Sequence, residues 1–232
     1  MGASVAGEDH QAIGLPCQDA WARWKVRSRP AIAVADGMGS CPYALEGARA
    51  SCIAALHALR WWQDKSQAPV EPVIRALYQR WQLEIHPLEA PSAQATCLAV
   101  AQARDGRFLA VQLGDGLVLV DGPGGHGVLK TEDDDCWVNE TIALGSARSL
   151  DEWVWKVYEP DEVRGFLLAT DGVANGLDED RYGEFLVHLR DIATSQNQCE
   201  RDHTLSRQLQ AWPSEAAAGD DRTVACLFRL GV

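Results

Sequence analysis

The stretch "AIAVADGMGS", residues 31–40, decides how this 232-residue chain is read. Five small or branched apolar residues run without a break into Asp36, and Gly37, Met38, Gly39 and Ser40 follow at once. A short apolar run that ends in a glycine turn reads as a buried strand. A carboxylate at the end of such a strand is expensive to desolvate. It either caps the turn or holds a ligand, and the local pattern leaves both open.

Composition narrows the partners. Hydrophobic residues make up 47% of the chain and charged residues 23%, which is the balance of a globular protein with a sizeable core. The net charge of −12 excludes a general nucleic-acid binder, which needs a basic face, and an anionic membrane surface. Acids that cluster in space would instead concentrate cations. The seven cysteines are odd in number and form no CxxC pair, so reduced, mostly buried thiols are expected. No apolar run is long enough to span a bilayer and no basic-then-apolar leader is visible, so a cytoplasmic location is expected.

Around Asp36 the chain alternates short strands with paired helices. Helical periodicity predicts helices over 44–63, where Leu45, Ala48, Cys52, Ala55, Leu56 and Leu59 share a stripe, and over 70–86, 182–195 and about 201–211. Strands are predicted at 31–35, 96–103, 108–114, 117–122, 152–159, 164–170 and 222–230. Several are joined by Asp-Gly hairpin turns. Hairpins with inserted helix pairs predict antiparallel sheets with helices packed outside, in one domain over 1–232.

Asp36-Gly37, Asp115-Gly116, Asp171-Gly172 and Asp220-Asp221 each stand beside a strand, and Asp19 precedes an apolar segment. Carboxylates gathered at one sheet edge would raise one another's pKa unless a divalent cation joined them. Hard cations such as Mg²⁺ and Mn²⁺ take oxygen ligands. Each Asp-Gly alone is the ordinary turn dipeptide. The pairs at 105–106 and 121–122 are read as turns only, whereas buried strands lead straight into Asp36 and Asp171.

The motifs occur in a recognisable order. "CQDAW" (17–21), "VADGMGS" (34–40) with "EGARAS" (46–51), "ATCLAV" (95–100), "LGDGLVLV" (113–120), "IALGS" (142–146), "LLATDGVANGL" (167–177) and "DDRTV" (220–224) follow one another. In that series the chain resembles the PPM-type (type 2C) metal-dependent serine/threonine protein phosphatases in their compact bacterial form. The resemblance covers nearly the whole chain from about residue 7. It implies an α+β fold, a four-layer αββα sandwich of two antiparallel sheets flanked by helices, with two Mg²⁺ or Mn²⁺ ions at one end. Carried over position by position, Asp36 bridges both ions, the Gly37 carbonyl joins one, Asp171 and Asp220 hold the other, and Asp19 joins through water. Asp115 matches a third, weaker metal position. The implied chemistry is attack of a metal-activated water on the phosphorus of phosphoserine or phosphothreonine. A phosphorylated protein is then the substrate and a cognate serine/threonine kinase a partner.

The sequence also departs from the family pattern. No arginine lies between Gly7 and Asp19, where many members contact the substrate phosphate, and His10 is the candidate cation there. Asn175 replaces a usual acid, Gln18 stands where animal members carry a Glu, and Asp221 replaces the usual Asn. These departures raise an alternative: a catalytically weak or inactive relative acting as a regulatory binding module. A haloacid-dehalogenase-type phosphatase would need a DxDx[TV] motif, which is absent. The nine tryptophans are read as packing, with Trp61-Trp62 as a candidate partner surface, and the acidic run at 132–135 as a solvated loop.

Overall fold

A computed structural model describes residues 1–26, 29–130, 142–147, 149–212 and 219–229. In chain order the elements are β1 (Gly2–Val5), α1 (Glu8–Ile13), β2 (Ala20–Val26), β3 (Arg29–Ala35), α2 (Ala44–Asp64), α3 (Glu71–Ile85), β4 (Cys97–Gln102), β5 (Phe108–Leu113), β6 (Leu117–Gly122), β7 (Gly125–Val128), β8 (Val154–Tyr158), β9 (Gly165–Ala169), α4 (Asp171–Ala174), α5 (Tyr182–Ser195), α6 (Gln198–Gln210) and β10 (Arg222–Phe228). The strands form two five-stranded sheets, ordered β1-β10-β9-β6-β7 and β2-β3-β4-β5-β8, and every pairing is antiparallel.

Alternation along the strands builds the four layers. In β3 and β4 the even residues Ile32, Val34, Leu98 and Val100 point between the sheets, where they meet Phe108, Val118, Phe166 and Leu168. The odd residues Ala31, Ala33, Ala35, Ala99 and Ala101 face α2 and α3. That outward face is nearly all alanine, and α2 answers with Ala48, Ser51, Cys52 and Ala55, so helix and sheet can approach closely. Gly47 brings α2 hard against the segment before β4, since a Cβ there would come within 2.0 Å of the Ala93 carbonyl oxygen. The buried Trp81 indole of α3 donates to the Gly47 carbonyl at 3.2 Å. On the other side, Leu186 and Leu189 of α5 and Leu205 and Leu209 of α6 pack on Leu119, Leu167 and Val224.

The helices over 44–63, 70–86 and 182–195 lie where periodicity places them. The last helix starts at Gln198, three residues before the expected 201, because Asn197 and Glu200 form a reciprocal capping box. Trp62, Trp81 and Trp153 are buried in the helix-facing core, whereas Trp61 is 43% exposed beneath Lys65. Among the described residues Cys41, Cys52, Cys97 and Cys226 are buried free thiols and only Cys199 is exposed. The acidic run at 132–135 lies outside the described residues. No helix among the described residues is long and apolar enough to cross a membrane.

Candidate metal centre

Four strand ends deliver the acids. β3 runs directly into Asp36, whose backbone N–H donates to Thr96 Oγ1 and whose carbonyl accepts from the Thr96 N–H, both at 2.8 Å. These two bonds fix the strand end just before β4. Gly37 is then squeezed: a Cβ there would lie 2.3 Å from the Ala44 carbonyl oxygen and 2.8 Å from that of Gln18. Only glycine fits, and the loop before β2 is drawn against the start of α2. The 142–146 segment docks at the same end, Leu144 bridging to Ala95 and Ala95 to Gly37.

Asp19 stands at the start of β2, 4% exposed, and accepts a hydrogen bond from Thr170 Oγ1 at 2.8 Å. Thr170 links β9 to α4, and its hydroxyl also accepts from the Thr223 N–H at 3.0 Å. Asp171 follows it and accepts from the Gly172 N–H at 2.8 Å. A Cβ on Gly172 would fall 2.0 Å from the Asp221 carbonyl oxygen, so the start of α4 lies hard against the 220–221 turn. The ends of β9 and β10 therefore present Asp171 and Asp220 together.

Electrostatics shows how near these acids are. Burial, then the charges of Asp19, Asp171 and Asp220, push the Asp36 carboxyl far above the usual carboxylate range. Burial also raises Asp19, although hydrogen bonds from Thr170, Asp36 and Thr223 offset part of the rise. Asp171 is raised to about 6 by burial, Asp220 and Asp115. Among the described residues no lysine or arginine is ion-paired with Asp19, Asp36, Asp171 or Asp220.

Asp221 behaves differently. It is 2% exposed and accepts from the Gly7 N–H at 2.7 Å, from the Gln18 N–H at 2.5 Å and pairs with His10 Nδ1 at 2.9 Å. It clasps α1 and the 15–18 loop over the site. The sequence reading missed this role, and it likewise missed Thr96, Thr170 and Thr223. Position offers the one trace: a threonine stands immediately before Asp171 and another two residues after Asp221, with no periodic pattern to set them apart. His10 is thus engaged through Nδ1. Asn175 ends α4, its N–H bonded to the Asp171 carbonyl at 2.8 Å. Asp121, read as a turn residue, also holds Arg190 of α5 at 2.6 Å.

Among the described residues no group of three or more His, Cys, Asp or Glu side chains is arranged to hold a metal ion by itself. The donors nevertheless fit a hard divalent cation. All are oxygens, the carboxylates repel one another without a counter-charge, and Gln18 Oε1, close to Gly39, is buried without a partner among the described residues. Hard cations keep several waters, so a few well-placed carboxylates suffice.

A two-sheet αββα sandwich with a carboxylate cluster at one end is the architecture of a phosphatase class. The sequence matches the protein phosphatase 2C family over residues 6–212. The chain belongs to that family and is a phosphoprotein phosphatase; metal dependence is typical of its members. Asp220 lies beyond the matched range. No curated protein matches the sequence. Among solved structures the fold is similar to the serine/threonine phosphatase PstP/Ppp of Mycobacterium tuberculosis (17% identity, TM-score 0.59, covering 99% of this chain and 97% of that one). RsbX in complex with magnesium is also similar (16%, 0.58, 97% and 92%). So is a chain described with the bacterial stressosome, "a modular system that has been adapted to control secondary messenger signaling" (16%, 0.64, 97% and 96%). At these identities the likeness concerns the fold.

Proposed function

We propose that the chain is a two-metal serine/threonine phosphoprotein phosphatase formed by a single domain over 1–232. One observation carries the reading: Asp19, Asp36, Asp171 and Asp220 come from separate strand ends, and after burial the charges of the other three push the Asp36 carboxyl up, an arrangement that pure structure does not require. Asp36 and the Gly37 carbonyl, with Asp171 and Asp220, would hold two Mg²⁺ or Mn²⁺ ions, with Asp19 joining through water and Asp115 beside a weak third position. Bound there, the ions would supply an activated water and neutralise phosphoryl charge.

The chain's own residues do the rest. Thr96, Thr170 and Thr223 lock the strand ends so that the acids cannot swing apart. Asp221 seats His10 through Nδ1, which leaves Nε2 to meet a substrate phosphate. The substrate is a phosphoserine or phosphothreonine protein in the cytoplasm. The fold likeness to a stressosome chain supports a regulatory setting, with a cognate serine/threonine kinase as the opposing activity.

A second reading, a weakly active or inactive binding module, is favoured by the absence of arginine from 8–18 and by the lack of a closed metal cage among the described residues. Phosphate release from p-nitrophenyl phosphate and a phosphothreonine peptide separates the two. The phosphatase reading expects turnover with Mn²⁺ that EDTA and Asp36→Asn abolish. Absence of metal-dependent turnover in the parent protein overturns the phosphatase reading and favours the binding module.

A further inference from the structure

Among the described residues seven large hydrophobic side chains are exposed, and three of them, Ile13, Leu15 and Tyr43, belong to the two segments that border the Asp36 strand end. The other four are spread over α2, α3 and α5. Ile13 is 71% exposed, Leu15 43% and Tyr43 42%. Single exposed apolar residues are ordinary, whereas several gathered beside a site mark a contact surface.

The backbone fixes all three next to the acids. The 15–18 loop and the start of α2 close on Gly37 from two sides, through the carbonyls of Gln18 and Ala44. Leu15 stands three residues before Gln18 and Tyr43 one before Ala44, so each Cα lies within about 10 Å of a residue packed on Gly37. The Leu15 N–H donates to the His10 carbonyl at 2.9 Å, and the Tyr43 N–H to the Ser92 carbonyl at 3.0 Å. Ile13 follows His10 by three positions on α1, which makes the two side chains neighbours on the helix surface. α1 buries no residue, so the packing of the described residues does not use Ile13. Charge on these segments has one sign: over 8–18 and 38–46 the exposed charged side chains are Glu8, Asp9 and Glu46.

We infer that this rim is a substrate subsite, which selects a phosphothreonine or phosphoserine flanked by aliphatic residues and disfavours acidic flanks. The inference rests on the phosphatase reading above. An extended peptide carries its next two residues on either side within about 7 Å of the phosphorylated one. With the phosphate at the strand end, Ile13 and Leu15 meet one flank and Tyr43 the other. Glu8, Asp9 and Glu46 repel a flank of their own sign.

Three phosphothreonine peptides test this, identical except for Leu, Ala or Glu at the two positions on each side of the phosphothreonine, with p-nitrophenyl phosphate as the substrate that has no flanks. In Mn²⁺ the Leu peptide is expected to exceed the Ala peptide in kcat/KM by about tenfold, the weight of a partly buried leucine, and the Glu peptide to fall below both. Ile13→Ser, Leu15→Ser and Tyr43→Ala should each cut the Leu-to-Ala ratio about threefold and leave turnover of p-nitrophenyl phosphate unchanged. Tyr43→Leu keeps an apolar surface, should retain the ratio, and serves if Tyr43→Ala does not fold. Equal kcat/KM for the Leu and Ala peptides, with p-nitrophenyl phosphate turned over, overturns the inference and leaves the phosphatase reading standing. So does a ratio that none of the three rim variants changes. Absence of turnover on every substrate overturns both.

Discussion

The turn around Asp221 and the strand end at Asp36 are two ways of burying a carboxylate. Asp221 is met by two backbone N–H groups and a histidine, so its charge is compensated and its loop is held. Asp36 is met by Asp19, Asp171 and Asp220, so its charge is aggravated. A buried acid surrounded by donors contributes to the fold. A buried acid surrounded by acids costs stability unless something absent from the chain completes it. Both types stand on the same rim, and the first type holds the second in place: Asp221 anchors the turn that presents Asp220, and a backbone atom of Asp221 presses on Gly172 beside Asp171.

The comparison breaks most visibly at Asp36. Asp36→Asn removes the charge but keeps the shape, so Mn²⁺-dependent release of phosphate should fall by roughly 1,000-fold or more, because the ligand proposed to be shared by both ions is lost. In the same variant the metal-free protein should unfold at higher urea than the parent near neutral pH, because burying this position no longer requires a carboxylate to take up a proton. Asp221 should show the opposite balance. Asp221→Ala leaves the Gly7 and Gln18 N–H groups without their acceptor, and a loss of about 3–5 kcal/mol in urea unfolding is expected. Asp221→Asn should lose less, because one amide oxygen can still accept.

The pH dependence sharpens the contrast. Asp36, Asp19 and Asp171 all have folded-state pKa values raised above the unfolded value near 3.8. The folded state therefore binds more protons than the unfolded one between pH 4 and the raised values. The stability of the metal-free protein should fall as pH rises through this window, most steeply between about 4 and 6, where all three groups contribute; Asp171 stops contributing near 6 and the Asp19–Asp36 pair carries the fall further. Metal affinity should climb over the same range, since cations displace those protons. Thermal unfolding in EDTA at a series of pH values, repeated with Mn²⁺, measures both trends. His10→Ala should have the smallest effect: about 1 kcal/mol from the lost Asp221 bond, with KM for a phosphopeptide rising more than kcat falls. Unchanged KM would remove His10 from phosphate binding.

Most of this architecture is legible in the residues. The apolar runs into Asp36 and Asp171, the stripe on α2 and the Asp-Gly turns place β3, β9, α2 and the hairpins within a few positions. The elements that escape are those whose stability is not local. β1, "GASV", has no pattern of its own; it exists because β10, more than 200 residues later, offers an edge, and Gly2 lets Trp21 pack over it. α1 buries no residue and is held by Asp221 and Gly219 rather than by an apolar face. The edge strand β2 mixes Trp21 and Trp24 with Arg23 and Lys25, which hides its alternation. In the centre, the acids were visible as strand-end residues, whereas the threonines that orient them were not, because a hydroxyl beside a strand carries no periodic signal.

Isothermal titration of the metal-free protein with Mn²⁺ at pH 8, in parent and Asp36→Asn, tests the central claim most directly. The account predicts that the parent binds two equivalents with release of protons, and that Asp36→Asn loses binding at both sites. Binding that is absent in the parent, or equal in the two proteins, would contradict it.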